Sequence, residues 1–166
     1  FRELFTLILN GNVDVNFQNN QGETALFNAV QLGKKRIVEL LLEHNADPNI
    51  GKLSPLIQSC ISGYLEISKL LIDYGADVNY EYDDTMFPLT PLTASIANNR
   101  IENVKLLIEK GANINIVDKE ENNLLLQSIK FGNLKIAKLF LELGLDPHAK
   151  NKFGTCAMDY GFEFEF

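Results

Sequence analysis

The stretch TALFNAVQLGKKRIVELLLEHNADPN, residues 24–49, decides the fold because it comes back three times: SPLIQSCISGYLEISKLLIDYGADVN at 54–79, TPLTASIANNRIENVKLLIEKGANIN at 90–115 and NLLLQSIKFGNLKIAKLFLELGLDPH at 123–148. The four segments align over 26 residues without a gap, while their starts lie 30, 36 and 33 residues apart. Every difference in length therefore falls in the connector that precedes each unit. Each unit carries an apolar set at helical spacing, such as Ile37, Leu40 and Leu41, or Ile67, Leu70 and Leu71, or Ile136, Leu139 and Phe140. One short helix cannot hide that face alone; stacking like units does, which makes the core quasi-one-dimensional. The expected helix ends, Gly33, Gly63, Asn99 and Gly132, then Asn45, Gly75, Gly111 and Gly144, are all residues that tolerate a left-handed backbone.

The pattern resembles the ankyrin repeat, whose period of about 33 residues holds a β-turn and two helices with a T-P-L-H-x-A opening. Thr90, Pro91 and Leu92 match that opening; Ser54, Pro55 and Leu56 match with Ser for Thr, and Thr24, Ala25, Leu26 and Asn123, Leu124, Leu125 are looser. The closing phrase G-A-D-V-N stands at Gly75 to Asn79, with altered forms at Asn45 to Asn49, Gly111 to Asn115 and Gly144 to His148. The resemblance implies an all-α solenoid of helix-turn-helix units joined by β-turn or hairpin fingers, in one domain over residues 1–166. It divides the chain into full repeats at 17–49, 50–79, 80–115 and 116–148, between a partial repeat at 1–16 and another at 149–166. Two departures stand out. Asn103 replaces the isoleucine of its sister units and is expected to be hydrogen-bonded or to loosen the stack. Glu121 stands where the family places a turn glycine, so that connector's shape is an open expectation.

Composition bounds the function. With 166 residues, 46% hydrophobic and 22% charged, the chain is long enough for a sizeable core and is not of disordered type. Fifteen Lys plus Arg against 22 Asp plus Glu, a net charge of -7, argue against nucleic acid, whose phosphates call for clustered cations; only Lys34, Lys35 and Arg36 cluster. No apolar run approaches the roughly 20 residues of a membrane span. Two cysteines, Cys60 and Cys156, are too few for a disulfide scaffold and suit a reducing, cytoplasmic compartment. Cys60 is read as a packing residue at a small-residue position of its unit's first helix, and three stacked repeats separate it from Cys156 by more than disulfide reach. The chain starts at Phe1 without a basic-then-apolar leader, which suggests processing or a larger parent.

Catalysis has little material. His44 and His148 are the only histidines, no Cys/His spacing suggests zinc, and no Gly-rich phosphate loop or nucleophile elbow occurs, so neither cofactor nor metal is expected. The acidic run Glu81, Asp83 and Asp84 lacks the companions of a metal or acid/base site and reads as solvated loop. What remains is recognition. By the resemblance, partners dock on the fingers and the inner face of the first helices. Those contact positions fall on Asn20, Gln21, Glu23, Gln31 and Leu32; then Ile61 and Ser62; then Ala97 and Asn98; then Lys119, Glu120, Asn122, Lys130 and Phe131. Leu32 and Phe131 are large apolar residues at ordinarily exposed places, hence candidate anchors.

The connectors sharpen this picture. The one before Ser54 is three residues shorter than the period and the one before Thr90 three longer, so a short finger sits beside a long one and leaves a step in the groove. The long connector mixes Tyr80, Tyr82, Met86 and Phe87 with Glu81, Asp83 and Asp84, an interface-like composition. In the fingers before Thr90 and Asn123, Glu81, Asp83, Asp84, Asp118, Glu120 and Glu121 face Lys119 alone, a net of -5 that would steer a protein with a basic patch. The leading expectation is a monomeric, non-catalytic protein-binding scaffold. The alternative is the targeting or regulatory part of a larger enzyme, effector or toxin-neutralising protein; the 18 Asn with abundant Ile and Lys resemble ankyrin proteins of AT-rich bacteria and protists, some delivered into hosts. Self-association through open apolar ends is a further expectation, tested by dilution.

Overall fold

The first residue of each unit acts as a helix cap, and from these caps the architecture follows. In the computed structural model, which describes residues 14–82 and 88–160, Thr24 accepts from Phe27 N–H, Ser54 from Leu56 N–H and Asn123 from Leu126 N–H. Thr90 and Thr93 close a capping box, each hydroxyl holding the other's backbone N–H. Pro55 and Pro91 open their helices at the position where a missing N–H costs nothing. Among the described residues eight short helices result: α1 (Ala25–Gln31), α2 (Lys35–Glu43), α3 (Pro55–Ser62), α4 (Leu65–Asp73), α5 (Pro91–Ala97), α6 (Ile101–Glu109), α7 (Leu124–Lys130) and α8 (Leu134–Glu142), followed by a 3₁₀ turn at Ala157–Tyr160.

The first helices α1, α3, α5 and α7 pack successively on one another and the second helices α2, α4, α6 and α8 do the same, giving two layers. Their shared core runs the length of the stack through Val30, Leu41, Leu56, Ile57, Leu71, Ile96, Leu107, Leu124, Leu125 and Phe140. Cys60 belongs to it. Its sister positions hold Val30, Ile96 and Ile129, so the place is an apolar one of ordinary size and not the small-residue position expected. All eight glycines and asparagines expected at helix ends take positive φ, the asparagines included (Asn45 65°, Asn99 54°).

Neighbouring units are also stitched by polar contacts. The closing asparagine of one unit reaches the turn of the next: Asn49 donates to Gly75 O at 2.9 Å and accepts from Asp77 N–H at 2.8 Å, and Asn16 and Asn79 make the same pair to Asn45 and Asp47 and to Gly111 and Asn113. Asn103 is 2% exposed and donates to the Ser68 hydroxyl of the preceding unit at 2.7 Å, with Ser68 paired to Ser59 at 2.7 Å. The amide is hydrogen-bonded, the first of the two expected outcomes. Among the described residues no buried side-chain nitrogen or oxygen lacks a partner.

Candidate functional site

Three of the fingers rise from the helix layers as asparagine- or aspartate-anchored turns, at Asn19, Asp118 and Asn151. In the first, the Asn19 side-chain oxygen accepts from Gln21 N–H and Glu23 N–H, while Gly22 N–H bonds Asn19 O. In the fourth, the Asp118 carboxylate accepts from Glu120 N–H at 2.8 Å and Asn122 N–H at 2.9 Å, and Glu121 N–H bonds Asp118 O. Asn151 repeats the arrangement with Phe153 and Thr155. Glu121 holds φ 62°, so the finger keeps the family's turn with a side chain in the conformation glycine normally supplies.

The candidate contacts divide by exposure. Asn20, Gln21, Gln31, Leu32, Ala97, Asn98, Lys119, Lys130 and Phe131 are exposed, while Glu23, Ile61, Ser62, Tyr80, Tyr82 and Glu120 are half-buried and Glu81 is exposed. Leu32 and Phe131 show 66% and 48% of their surface. Both follow the last turn of a first helix, α1 and α7, and so flank the inner face at the first and last of the described helix pairs. Asp83, Asp84, Met86 and Phe87 lie outside the described residues, as do residues 1–13 of the first partial repeat and the tail at 161–166.

Asn122 is a correction. Placed among the exposed contacts by the resemblance, it is fully buried: its amide donates to Asp118 at 2.8 Å and to Glu120 at 3.2 Å, and its oxygen accepts from Asn151 of the following finger at 2.8 Å. It ties two fingers together and presents nothing to a partner. The acidic surplus of this finger is also smaller than its sequence implies. Asp118 is buried and its oxygens are occupied by Glu120 and Asn122, and Glu120 is paired with Lys130 at 2.9 Å. That lysine, together with the Asn122 amide, holds the Glu120 carboxyl below its usual range, and Glu120 in turn raises the Lys130 amine. Lys152 adds a further cation, donating to Lys119 O at 3.0 Å and lying 5.0 Å from the centre of the Phe153 ring.

Beside the short connector lies a half-open cleft of about 200 Å³. One wall is the first finger at Gln21, Gly22 and Glu23, with Phe27 of α1 below it. The short connector supplies Lys52 and Leu53, and the base of the long one supplies Tyr82 and Leu89, which pair by a hydrogen bond from Tyr82 N–H to Leu89 O at 3.0 Å. Gln21, Glu23 and Tyr82 were expected contacts. Phe27, Lys52, Leu53 and Leu89 were not, and the signal that could have found them is the 30-residue spacing itself: removing a finger tip exposes what lies beneath it. Phe17, Val117 and Phe153 are further exposed apolar residues on the finger side that the alignment of contact positions passed over.

Among the described residues no cluster of three His, Cys, Asp or Glu side chains could hold a metal ion, and no helix is long and apolar enough to cross a membrane. Cys60 and Cys156 are free and buried, and burial pushes the Cys60 thiol up.

Comparison with known proteins agrees with the geometry. A family model described as ankyrin repeats in three copies matches residues 1–82 and 80–151. An ankyrin repeat protein of fowlpox virus is 31% identical over 128 residues, 75% of this chain and 22% of its own length. A glycerophosphocholine phosphodiesterase of Candida albicans is 37% identical over 91 residues, 51% of this chain and 8% of its own. The human 2-5A-dependent ribonuclease is 42% identical over 69 residues, 39% of this chain and 9% of its own. The chain thus spans less than a quarter of the length of each of these relatives.

Proposed function

We infer the function from the premise that this chain belongs to the ankyrin-repeat family, whose repeats mediate protein–protein interaction. The chain acts as a non-catalytic scaffold that holds a protein partner on its fingers and on the inner face of its first helices. One observation carries the reading: Leu32 and Phe131 stand exposed at corresponding positions of the first and last described helix pairs, at 66% and 48%. Large apolar side chains so placed leave much of their surface in water and become anchors when a partner desolvates them. Three stack steps separate them, about 25–30 Å at the usual 8–10 Å between packed helices. A contact surface bridging both would therefore be a folded partner or a long helix, not a short motif.

Two buried free thiols suit a reducing compartment such as the cytoplasm. A partner with a basic patch remains part of the reading, carried by the net charge of -7 more than by the fourth finger, where ion pairing absorbs much of the acid. Monomeric behaviour and indifference to nucleic acid belong to the same proposal. The second reading makes this chain the targeting or regulatory repeat portion of a larger enzyme, effector or toxin-neutralising protein. It is favoured by relatives several times longer than the matched region, a phosphodiesterase and a ribonuclease among them.

The experiment compares capture of proteins from the source organism's lysate by the native chain and by Leu32→Ser/Phe131→Ser, after both show equal helicity. A protein held by the first and lost by the second supports the scaffold and its surface. A protein held equally by both moves the site to the outer layer, and none held by either turns the weight to the second reading.

A further inference from the structure

The cleft between the first three fingers has a size, a chemistry and an origin that together specify an occupant. Its origin is the short second connector. Lys52 N–H bonds Gly22 O at 3.0 Å, drawing the connector in beneath the first finger, and Gly51 takes φ 129° with Gly22 O only 3.3 Å from where a side chain would begin. Only glycine passes there. The connector therefore crosses low, and the first finger and the Tyr82–Leu89 bridge stand on either side of the space it leaves among the described residues.

Its size excludes most ligands. About 200 Å³ falls short of the roughly 300–1,000 Å³ of small-molecule and cofactor sites. A cavity of about 150 Å³ is known to hold a benzene ring, so one large side chain is the natural fit. The lining agrees: Phe27, Leu53, Tyr82 and Leu89 are apolar or aromatic, and Gln21, Glu23 and Lys52 are its polar side chains. Glu23 is set in place before any ligand arrives. Its backbone N–H is held by the Asn19 side-chain oxygen at 3.0 Å and its carboxylate by the Asn19 amide at 2.8 Å. Lys52 is the other charged residue of the lining, and on a chain of net charge -7 the preset Glu23 carboxylate favours a cation next to the buried ring.

We propose that this cleft is a socket for a single aromatic or large aliphatic side chain of an extended partner segment, with an Arg or Lys beside it facing Glu23. The proposal rests on the partner-binding reading above and adds to it a second kind of contact, a short linear determinant on the finger side, separate from the broad inner face between Leu32 and Phe131. The occupant is a peptide and not a metabolite, because the volume suits one side chain and the mouth is half open, as a through-running backbone needs.

The test uses N-acetyl-Phe-Arg-amide as probe in an amide chemical-shift titration of the whole chain. Dissociation constants of about 1–10 mM are in keeping with so few contacts. Shifts should concentrate at Gly22, Lys52, Leu53, Tyr82 and Leu89. Affinity should fall at least about fivefold for N-acetyl-Ala-Arg-amide, which lacks the ring, and about threefold or more for N-acetyl-Phe-Glu-amide, which reverses the charge. Leu53→Glu should abolish the response. Because Leu53 is half-buried, Gln21→Trp serves as the second variant: it fills the mouth from an exposed position, should leave helicity and melting unchanged, and should also abolish binding. Absence of shifts, equal response to all three probes, or binding that survives Gln21→Trp overturns the socket. Shifts gathered instead around Leu32 and Phe131 overturn it while leaving the inner-face reading standing, and that reading fails separately in the lysate experiment.

Discussion

The pair Ser68 and Asn103 couples two units through the core, and its replacement by apolar residues should be strongly non-additive. Ser68 is fully buried and accepts from the Asn103 amide at 2.7 Å; the Cys60 sulfur lies 3.9 Å from the same nitrogen, a weak partner. Ser68→Val, which copies Val38 of the first unit, strands that buried amide at a cost of about 1–3 kcal/mol, of which one buried methyl returns about 0.8 kcal/mol. Asn103→Ile, which copies Ile37, strands nothing, because Ser68 keeps Ser59 at 2.7 Å and Ser59 donates to Leu56 O at 2.9 Å. It should lie within about 1 kcal/mol of the native chain, burial of the larger apolar side chain offsetting the lost bond. With both changes no orphan exists, and stability should equal or exceed native. The coupling is then about 2 kcal/mol. Urea unfolding followed by helicity measures it, with unchanged m-values as the condition for comparing midpoints; a loss of 2 kcal/mol corresponds to about 4–8 °C in melting temperature at this chain length. If Ser68→Val is neutral, or the two effects add within about 0.5 kcal/mol, the hydrogen bond is not what holds Asn103 in the core and the reasoning fails.

Glu121→Gly should stabilise by about 1 kcal/mol, seen as a rise of about 2–4 °C in melting temperature, since φ 62° strains any side chain but glycine. Gly75→Ala should cost about 1–2 kcal/mol from φ 89° alone, with nothing within 4 Å to clash, whereas Gly33→Ala should cost more because its new methyl would meet the Tyr64 ring at 2.9 Å; paired melting curves separate strain from clash. Glu120→Gln should make stability less dependent on pH in acid. The folded carboxyl is held below its ordinary value of 4.5, so the native chain carries that contribution in full above this pH and loses it as the pH falls from there through the lowered folded value. Melting temperature against pH for the two chains should converge at the acid end, and parallel curves would remove Glu120 from the account.

The helix pairs were legible because local rules agree with one another: a capping residue at the start of every unit, an apolar triplet at helical spacing, and Gly or Asn at both turns. Such signals sit within a single unit and need no knowledge of its neighbours. What the sequence left unread has the opposite property. Asn122 looks like any polar finger residue until Asn151, 29 residues on, is brought beside it. Asp118 counts as surface charge until the turn folds its carboxylate onto Glu120 N–H and Asn122 N–H. The partner of Asn103 lies in the preceding unit, 35 residues upstream, and no pattern within the unit points to Ser68. Packing between units, not within them, is what sequence periodicity leaves unstated.

The same division governs recognition. In a solenoid each unit repeats its neighbour, so a surface becomes specific only where the repetition breaks. Here the breaks differ in physical kind. Substitutions such as Leu32 and Phe131 alter side chains on an unaltered frame and can be read residue by residue. A change of connector length alters the frame: three residues fewer before Ser54 and three more before Thr90 bring Phe27, Leu53, Tyr82 and Leu89 around one space, though none of the four is unusual at its own position. Ion pairing within the fourth finger meanwhile reduces the acidic field available for steering, which moves the discriminating chemistry toward that space. Restoring the period by inserting three residues between Gly51 and Lys52 should therefore close the cleft without disturbing the helices, since surface loops accept insertions at small cost. Loss of Phe-Arg probe binding at unchanged melting temperature would show that finger length, and not any one side chain, creates the site. Retained binding would show that the lining residues act without the gap, and the account given for its origin would be wrong.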